Sequence, residues 1–302
     1  MSGAYPIVAR RTGAGQTSKH WRITLSQSNK RRHTSHRPQS SLEHRSQPRG
    51  RRPRPKSGAG GDTYWLYGKH PSIAALKNPV RRIERACVTD IFAEANQEVL
   101  EQAERNGINV VRSAPPELDR LLGRDAVHQG VALAVHPLEN LDVAELRALD
   151  DSSTVVVLDQ ANDPRNVGAV IRAAAAFGAS AVVTTERAAP DESGLLVKAA
   201  AGTFEYVTYL KCPNLARAID TLKSNGFWTC GLSGEAETEL HDAPFDRPTA
   251  LIIGSEGNGL RRLTIERCDS IVRIPMTQQV ESLNLASAAS IALYERCRGM
   301  AK

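Results

Sequence analysis

From residue 154 onward the apolar positions of the chain fall into short unbroken runs, TVVVLD, ASAVVTT, FWTCGLS, TALIIG and SIVRIP, each bounded by turn formers or charges. Runs of this kind, rich in Val and Ile, predict strands buried on both faces. Between them, NLARAIDTLKSNG carries apolar residues at helical spacing and stops at Gly226, and residues 167–177 and 283–298 also read as helices. Strands alternating with helices predict an α/β fold with a parallel sheet covered on both faces, whose ligands bind beyond the strand C-termini.

The stretch from 64 to 136 shows the same alternation more weakly. RIERACVT, INVVR and GVALAV read as strands, AEANQEVLEQAERNG as one helix ending at Gly107, and PELDRLLG as a short helix. This gives a small α/β domain at 63–136, a linker with a short helix at 137–153, and a larger domain at 154–302.

Residues 1–62 follow neither pattern. They are rich in Pro, Ser and Gly, and hold fourteen Lys and Arg against only Glu43 and Asp62, a net of +12. The chain's total of +6 therefore leaves −6 for residues 63–302. Such a segment is expected to be disordered and to act as a salt-sensitive tether for a polyanion, RNA above all; a solvating extension or a mispredicted start codon is the alternative.

The chain has 302 residues, 41% of them hydrophobic, and no apolar run reaches the roughly 18 residues that cross a bilayer. Without the pattern of a cleaved leader, a cytoplasmic address is expected. Cys87, Cys212, Cys230, Cys268 and Cys297 form no CxxC pair and read as reduced thiols. The histidines form no HExxH pattern, so no metal is predicted.

Three segments at strand C-termini carry the candidate chemistry. In LDQANDPRNVGAVIR a strand ends at Asp159, a turn follows, and Asn166 stands where a helix N-cap belongs. Arg172 is the one charge in the helix VGAVIRAAAAFG; it either points into water or serves a site, because an unpaired buried guanidinium is costly. In LIIGSEGNGL a strand runs into three glycines around Glu256, which let a backbone approach a ligand closely or form a plain turn. Neither a P-loop nor a dinucleotide fingerprint is present. In IPMTQQVESLNLASAASIALYE, Ser282 and Asn284 are two residues apart and share a face if extended, though a turn residue and an N-cap would also look like this.

Taken in order, these three segments resemble the three motifs of the SpoU/TrmH family of RNA ribose 2′-O-methyltransferases, over about residues 154–295. YGKHPSIAAL and HQGVALAV in the preceding domain are similar to the substrate-binding domain of that family. The arrangement most resembles the branch that modifies a guanosine of 23S rRNA. The resemblance implies a SPOUT-type parallel sheet with a C-terminal deep trefoil knot, a homodimer, and S-adenosylmethionine as methyl donor. It implies a donor pocket at Gly254, Gly257, Ile274, Met276 and Leu283. It implies catalytic roles for Asn166, Arg172, Glu256, Ser282 and Asn284, with Arg172 engaging a phosphate beside the target ribose. Gln278, where many members have glycine, and Ala286, where serine is frequent, depart from the pattern. The partner is RNA, with rRNA in an assembling large subunit first. A tRNA ribose methyltransferase and a non-catalytic RNA-binding or assembly protein stay open; a nucleotide-dependent oxidoreductase lacks its fingerprint.

Overall fold

The computed structural model describes residues 63–277 and 279–300. The basic extension at 1–62 and the departure at Gln278 lie outside the described residues. The N-terminal part runs β1 (Tyr64–Tyr67), α1 (Lys69–Lys77), β2 (Ile83–Val88), α2 (Asp90–Ala95), α3 (Gln97–Arg105), β3 (Asn109–Arg112), α4 (Pro115–Leu122) and β4 (Val131–Val135). Its four strands form a mixed sheet in the order β1-β4-β2-β3. The single helix expected over residues 93–107 is two: Asn96 leaves the helical region and its amide donates to the Phe92 carbonyl at 2.7 Å, a local bond that competes with the backbone ladder.

The larger part runs β5 (Thr154–Leu158), α5 (Pro164–Ala176), β6 (Ala181–Thr185), α6 (Gly194–Ala199), β7 (Thr208–Cys212), α7 (Leu215–Ser224), β8 (Trp228–Leu232), β9 (Thr238–Glu239), β10 (Thr249–Ile253), α8 (Arg262–Arg267), β11 (Ser270–Arg273) and α9 (Leu285–Gly299). All pairings of its seven strands are parallel, in the order β7-β6-β5-β10-β8-β11-β9. Side chains alternate across the central strands: Val156, Leu158, Leu251 and Ile253 pack under α5, α6 and α9, while Val155, Val157, Ala250 and Ile252 pack under α7. Both faces are buried, which is why β5, β6 and β10 read as continuous apolar runs.

The helix predicted to begin after an Asn166 cap begins earlier. Asp163 is the N-cap, its Oδ1 accepting from Arg165 N–H at 2.8 Å, and Pro164 occupies the first turn, where its missing N–H costs nothing. Asn166 is thereby released from capping.

A buried ionic network joins the two sheets. Arg81 donates through Nε and Nη2 to both oxygens of Glu205 at 3.2 and 2.7 Å, and through Nη1 to Glu192 at 2.5 Å. Tyr64 Oη and Leu138 N–H also donate to Glu192, and Asn78 donates to Glu205. Burial alone lowers the Arg81 guanidinium, but Tyr64, Glu205 and Glu192 raise it above its ordinary value; burial, then Glu192, pushes the Tyr64 phenol up. Close approach completes the junction: a Cβ on Gly194 would lie 2.3 Å from the Trp65 carbonyl oxygen, so only glycine fits there.

Among the described residues no helix is long and apolar enough to cross a membrane.

Candidate active site

The two motif loops that follow β5 and β10 emerge side by side because those strands are neighbours in register, with Leu158 opposite Ile253. The buried Asp159 ties them together. Its Oδ1 accepts from Arg261 Nε at 2.7 Å, and its Oδ2 accepts from Arg261 N–H at 3.1 Å and from the Thr264 hydroxyl at 2.7 Å. The glycine-rich loop is thus anchored at its far end before it meets any ligand. At its near end, a Cβ on Gly254 would stand 2.1 Å from the Gly259 carbonyl carbon, a contact no side chain permits. The loop closes through Gly259 N–H donating to Ser255 O at 3.0 Å.

Glu256 projects from this loop onto the other two motifs. Its Oε1 accepts from Asn166 Nδ2 at 2.8 Å, from Asn284 Nδ2 at 2.8 Å and from Leu285 N–H at 3.0 Å. Asn284 Nδ2 also lies 3.2 Å from Asn166 Oδ1, and Asn284 caps α9 by accepting from Ala286 N–H at 2.9 Å. The carboxylate therefore sits at a helix N-terminus, where the dipole favours negative charge. Asn284 serves as cap and as part of the cluster together.

Two cavities meet at Glu256. One, of about 780 Å³, is lined by Gly254, Gly257, Ile274, Met276, Ser282 and Leu283, among others. The other, of about 670 Å³, opens between the β5–α5 loop and the segment after β6 and includes Asn166. Ser255 and Glu256 belong to both walls. Ser255 Oγ is buried without a hydrogen-bond partner among the described residues.

Nine of the ten expected site residues thus fall on these cavities or the cluster between them; Ser282 lines the larger cavity without bonding to the cluster. Arg172 is the exception. It is exposed on α5, lines neither cavity, and has no hydrogen bond or ion pair among the described residues. Among the described residues the buried arginines are others: Arg81, and Arg296 on α9, which donates to the carbonyls of Phe245, Arg247 and Asp151. Residues that the motifs did not single out are Asp159, Arg261, Thr264 and Ser255; a charge ending an apolar strand was the available signal for the first.

Residues 153–294 match the family model described as SpoU rRNA Methylase family, and residues 65–141 match that described as RNA 2'-O ribose methyltransferase substrate binding. A protein of Ralstonia nicotianae named 23S rRNA (guanosine-2'-O-)-methyltransferase RlmB is 37% identical over 242 residues, 77% of this chain and 94% of its own. One of the same name from Coxiella burnetii is 35% identical over 235 residues, 76% of this chain and 93% of its own. The fold resembles that of the SpoU methyltransferase AviRb from Streptomyces viridochromogenes, solved with AdoMet, at a TM-score of 0.68 and 23% identity over 78% of this chain and 90% of that one.

Proposed function

The chain belongs to the SpoU rRNA methylase family, and on that premise we propose that it methylates a ribose 2′-hydroxyl in RNA, a guanosine of 23S rRNA, from S-adenosylmethionine. The observation that carries this reading is the junction itself: two cavities, one for a donor and one for an acceptor, meeting at the Asn166–Glu256–Asn284 cluster.

The larger cavity suits the donor chemically. Ile274, Met276 and Leu283 offer apolar walls for an adenine, and the main chain at Gly254 and Gly257 is bare enough for backbone hydrogen bonding. Glu235, Glu239 and Glu281 line the same cleft with Arg273, which pairs with Glu239 at 3.2 Å, and the net negative balance favours a cationic ligand. When bound, S-adenosylmethionine supplies an electrophilic methyl on a positively charged sulfur.

The protein's own work is positioning and charge stabilisation. Asn166 and Asn284 fix the Glu256 carboxylate, which orients the groups that converge there. Ser282 supplies a hydroxyl from the donor wall. A guanidinium has five N–H donors and no acceptor, so Arg172 is no literal base; it engages the neighbouring phosphate and stabilises the alkoxide that develops as the 2′-hydroxyl loses its proton to phosphate or solvent.

A homodimer brings Arg172 into this scheme. Arg172 stands six residues beyond Asn166, about 9 Å further along α5 and turned to a different face. Beside it, α5 packs on α9, whose exposed Ile291 and Tyr294 offer an apolar strip next to Phe177. We read this face as the one a second copy covers, with Arg172 completing the neighbour's site. The return of the chain from β11 to set Asn284 against Asn166 supports the knotted C-terminal path. Residues 1–62 add a basic tether for RNA, and the setting is the cytoplasm, on an assembling large subunit.

Methyl transfer from labelled S-adenosylmethionine to unmodified 23S rRNA, tRNA and large-subunit precursor particles tests the reading, scored as alkali-resistant dinucleotides. Label in a guanosine dinucleotide of 23S rRNA is expected. Label only in tRNA would reassign the substrate, and no label anywhere with donor binding intact would overturn catalysis.

A further inference from the structure

The smaller cavity has features that the family motifs leave without a purpose. Gln160 lines it with its backbone at φ 63°, a left-handed conformation uncommon and strained for a residue with a side chain. Arg187, in the segment after β6, also lines it, exposed and without a hydrogen bond or ion pair among the described residues. Asn162 and Asp163 belong to the same lining; Asp163 Oδ1 is engaged by the helix cap, while Oδ2 has no partner among the described residues. The orphaned Ser255 hydroxyl closes the wall shared with the donor cavity.

The charge balance decides what such a chamber takes. Its lining holds two carboxylates, Asp163 and Glu256, and one cation, Arg187. A phosphate placed inside would meet net repulsion. A neutral base with donors on one edge and acceptors on the other would not. Guanine has this distribution: N1–H and N2–H₂ suit a carboxylate, while O6 and N7 suit the fork of a guanidinium. Adenine places an amino group beside N7, which an arginine fork cannot accept. About 670 Å³ is room for one nucleotide.

We propose that this chamber holds the base of the acceptor nucleotide, with Arg187 reading the O6/N7 edge of a guanine and Asp163 receiving its N–H edge. The proposal rests on the methyltransferase reading above and adds to it the two side chains that select the base. Neither belongs to the Asn166–Glu256–Asn284 cluster, so binding of donor is independent of them.

The test uses the full chain with S-adenosylmethionine and two RNA fragments, one with guanosine and one with a single 7-deazaguanosine at the methylated position, which removes N7 alone. Arg187→Ala is compared with wild type on both. The expected result is a loss of roughly 10- to 100-fold in kcat/KM for the guanosine RNA on substitution, as for a bidentate base contact, with donor affinity unchanged. Wild type should also lose activity on the 7-deaza RNA, and Arg187→Ala should lose nothing further. Equal losses on 7-deaza substitution in both enzymes, or an Arg187→Ala enzyme as active as wild type, would overturn the proposal while leaving the methyltransferase reading intact. A wild-type enzyme inert on the guanosine RNA would overturn both.

Discussion

Asn166 and Glu256 are ninety residues apart in the chain, yet the amide of one donates to the carboxylate of the other at 2.8 Å. The contact exists because β5 and β10 lie side by side and end level, so the loops that leave them meet. Asn284 then reaches the same oxygen from the start of α9, so three distant segments share one acceptor atom. A site built this way depends on a single carboxylate for its geometry.

Glu256→Ala is therefore expected to leave the two amides and the Leu285 N–H without their acceptor. Hydrogen bonds to charged groups contribute about 1.5–3 kcal/mol each, though not additively. We expect methyl transfer to fall by at least about 100-fold, with Glu256→Gln, which keeps one acceptor oxygen, retaining more activity. Single-turnover rates at saturating donor check this, and equal activity of the two variants would count against a positioning role.

The Arg81 network joins the small sheet to the large one with side chains that are fully buried at Arg81 and Glu205. Arg81→Met leaves Glu205 and Glu192 buried without their cation, a change that costs about 3–5 kcal/mol. Arg81→Met combined with Glu205→Met should recover part of that loss, because one uncompensated charge goes with it. Urea denaturation of wild type and the two variants measures both.

Much of this architecture was legible in the sequence because its central strands are buried on both faces and so appear as apolar runs. Elements without that signature are not legible from it. In β7, Thr208, Tyr209 and Lys211 are only half-buried, so the edge strand reads as mixed; α6 and α8 are six residues each, too short to show a period. The three motifs placed most residues of the cluster and cavities, since glycine spacing is a local property, but α5 starts three residues earlier than an Asn166 cap would put it, because Asp163 takes that role. Arg172 is a lone charge among small and apolar residues, while the arginine that is buried in α9, Arg296, sits among charged residues at its end. Its three carbonyl partners lie 49, 51 and 145 residues away, beyond what local pattern can report.

Asp269 supplies a pH dependence. Burial would raise its carboxyl, but Lys223 at 2.6 Å and the N–H and hydroxyl of Thr229 outweigh this and hold it below the ordinary value. A carboxylate with a native pKa below its unfolded one, about 3.9, contributes stability above that pH and loses it as pH falls through the native value. Asp269→Asn should thus be less stable than wild type at pH 7, with the difference closing below about pH 4. Denaturation midpoints measured from pH 3 to 7 check the sign; a gap that widens in acid would refute it.

The extension at 1–62 carries a net +12 while residues 63–302 carry −6. Each phosphate neutralised releases counterions, so binding through such a segment falls steeply with salt. Deleting residues 1–62 should weaken RNA binding and flatten its dependence on salt concentration, with donor affinity unchanged. Filter binding across a salt series reads the slope, and an unaltered slope would remove the extension from RNA capture.

Arg172 offers the sharpest test of the dimer. If it acts within its own protomer, Arg172→Ala and Glu256→Ala chains remain inactive however they are mixed, since each site lacks one group. If it completes the site of a second copy, a mixed dimer has one site in which the intact Glu256 of one chain meets the intact Arg172 of the other. A two-fold symmetric pair has two such sites, and random mixing makes half the dimers mixed, so about one quarter of wild-type activity should return. The chains must be unfolded and refolded together for exchange to occur, with each variant refolded alone as its control. Recovery near that fraction would place Arg172 across the interface; none, with mixed dimers demonstrated by mass, would return it to its own chain and require α5 to move before it could reach Glu256.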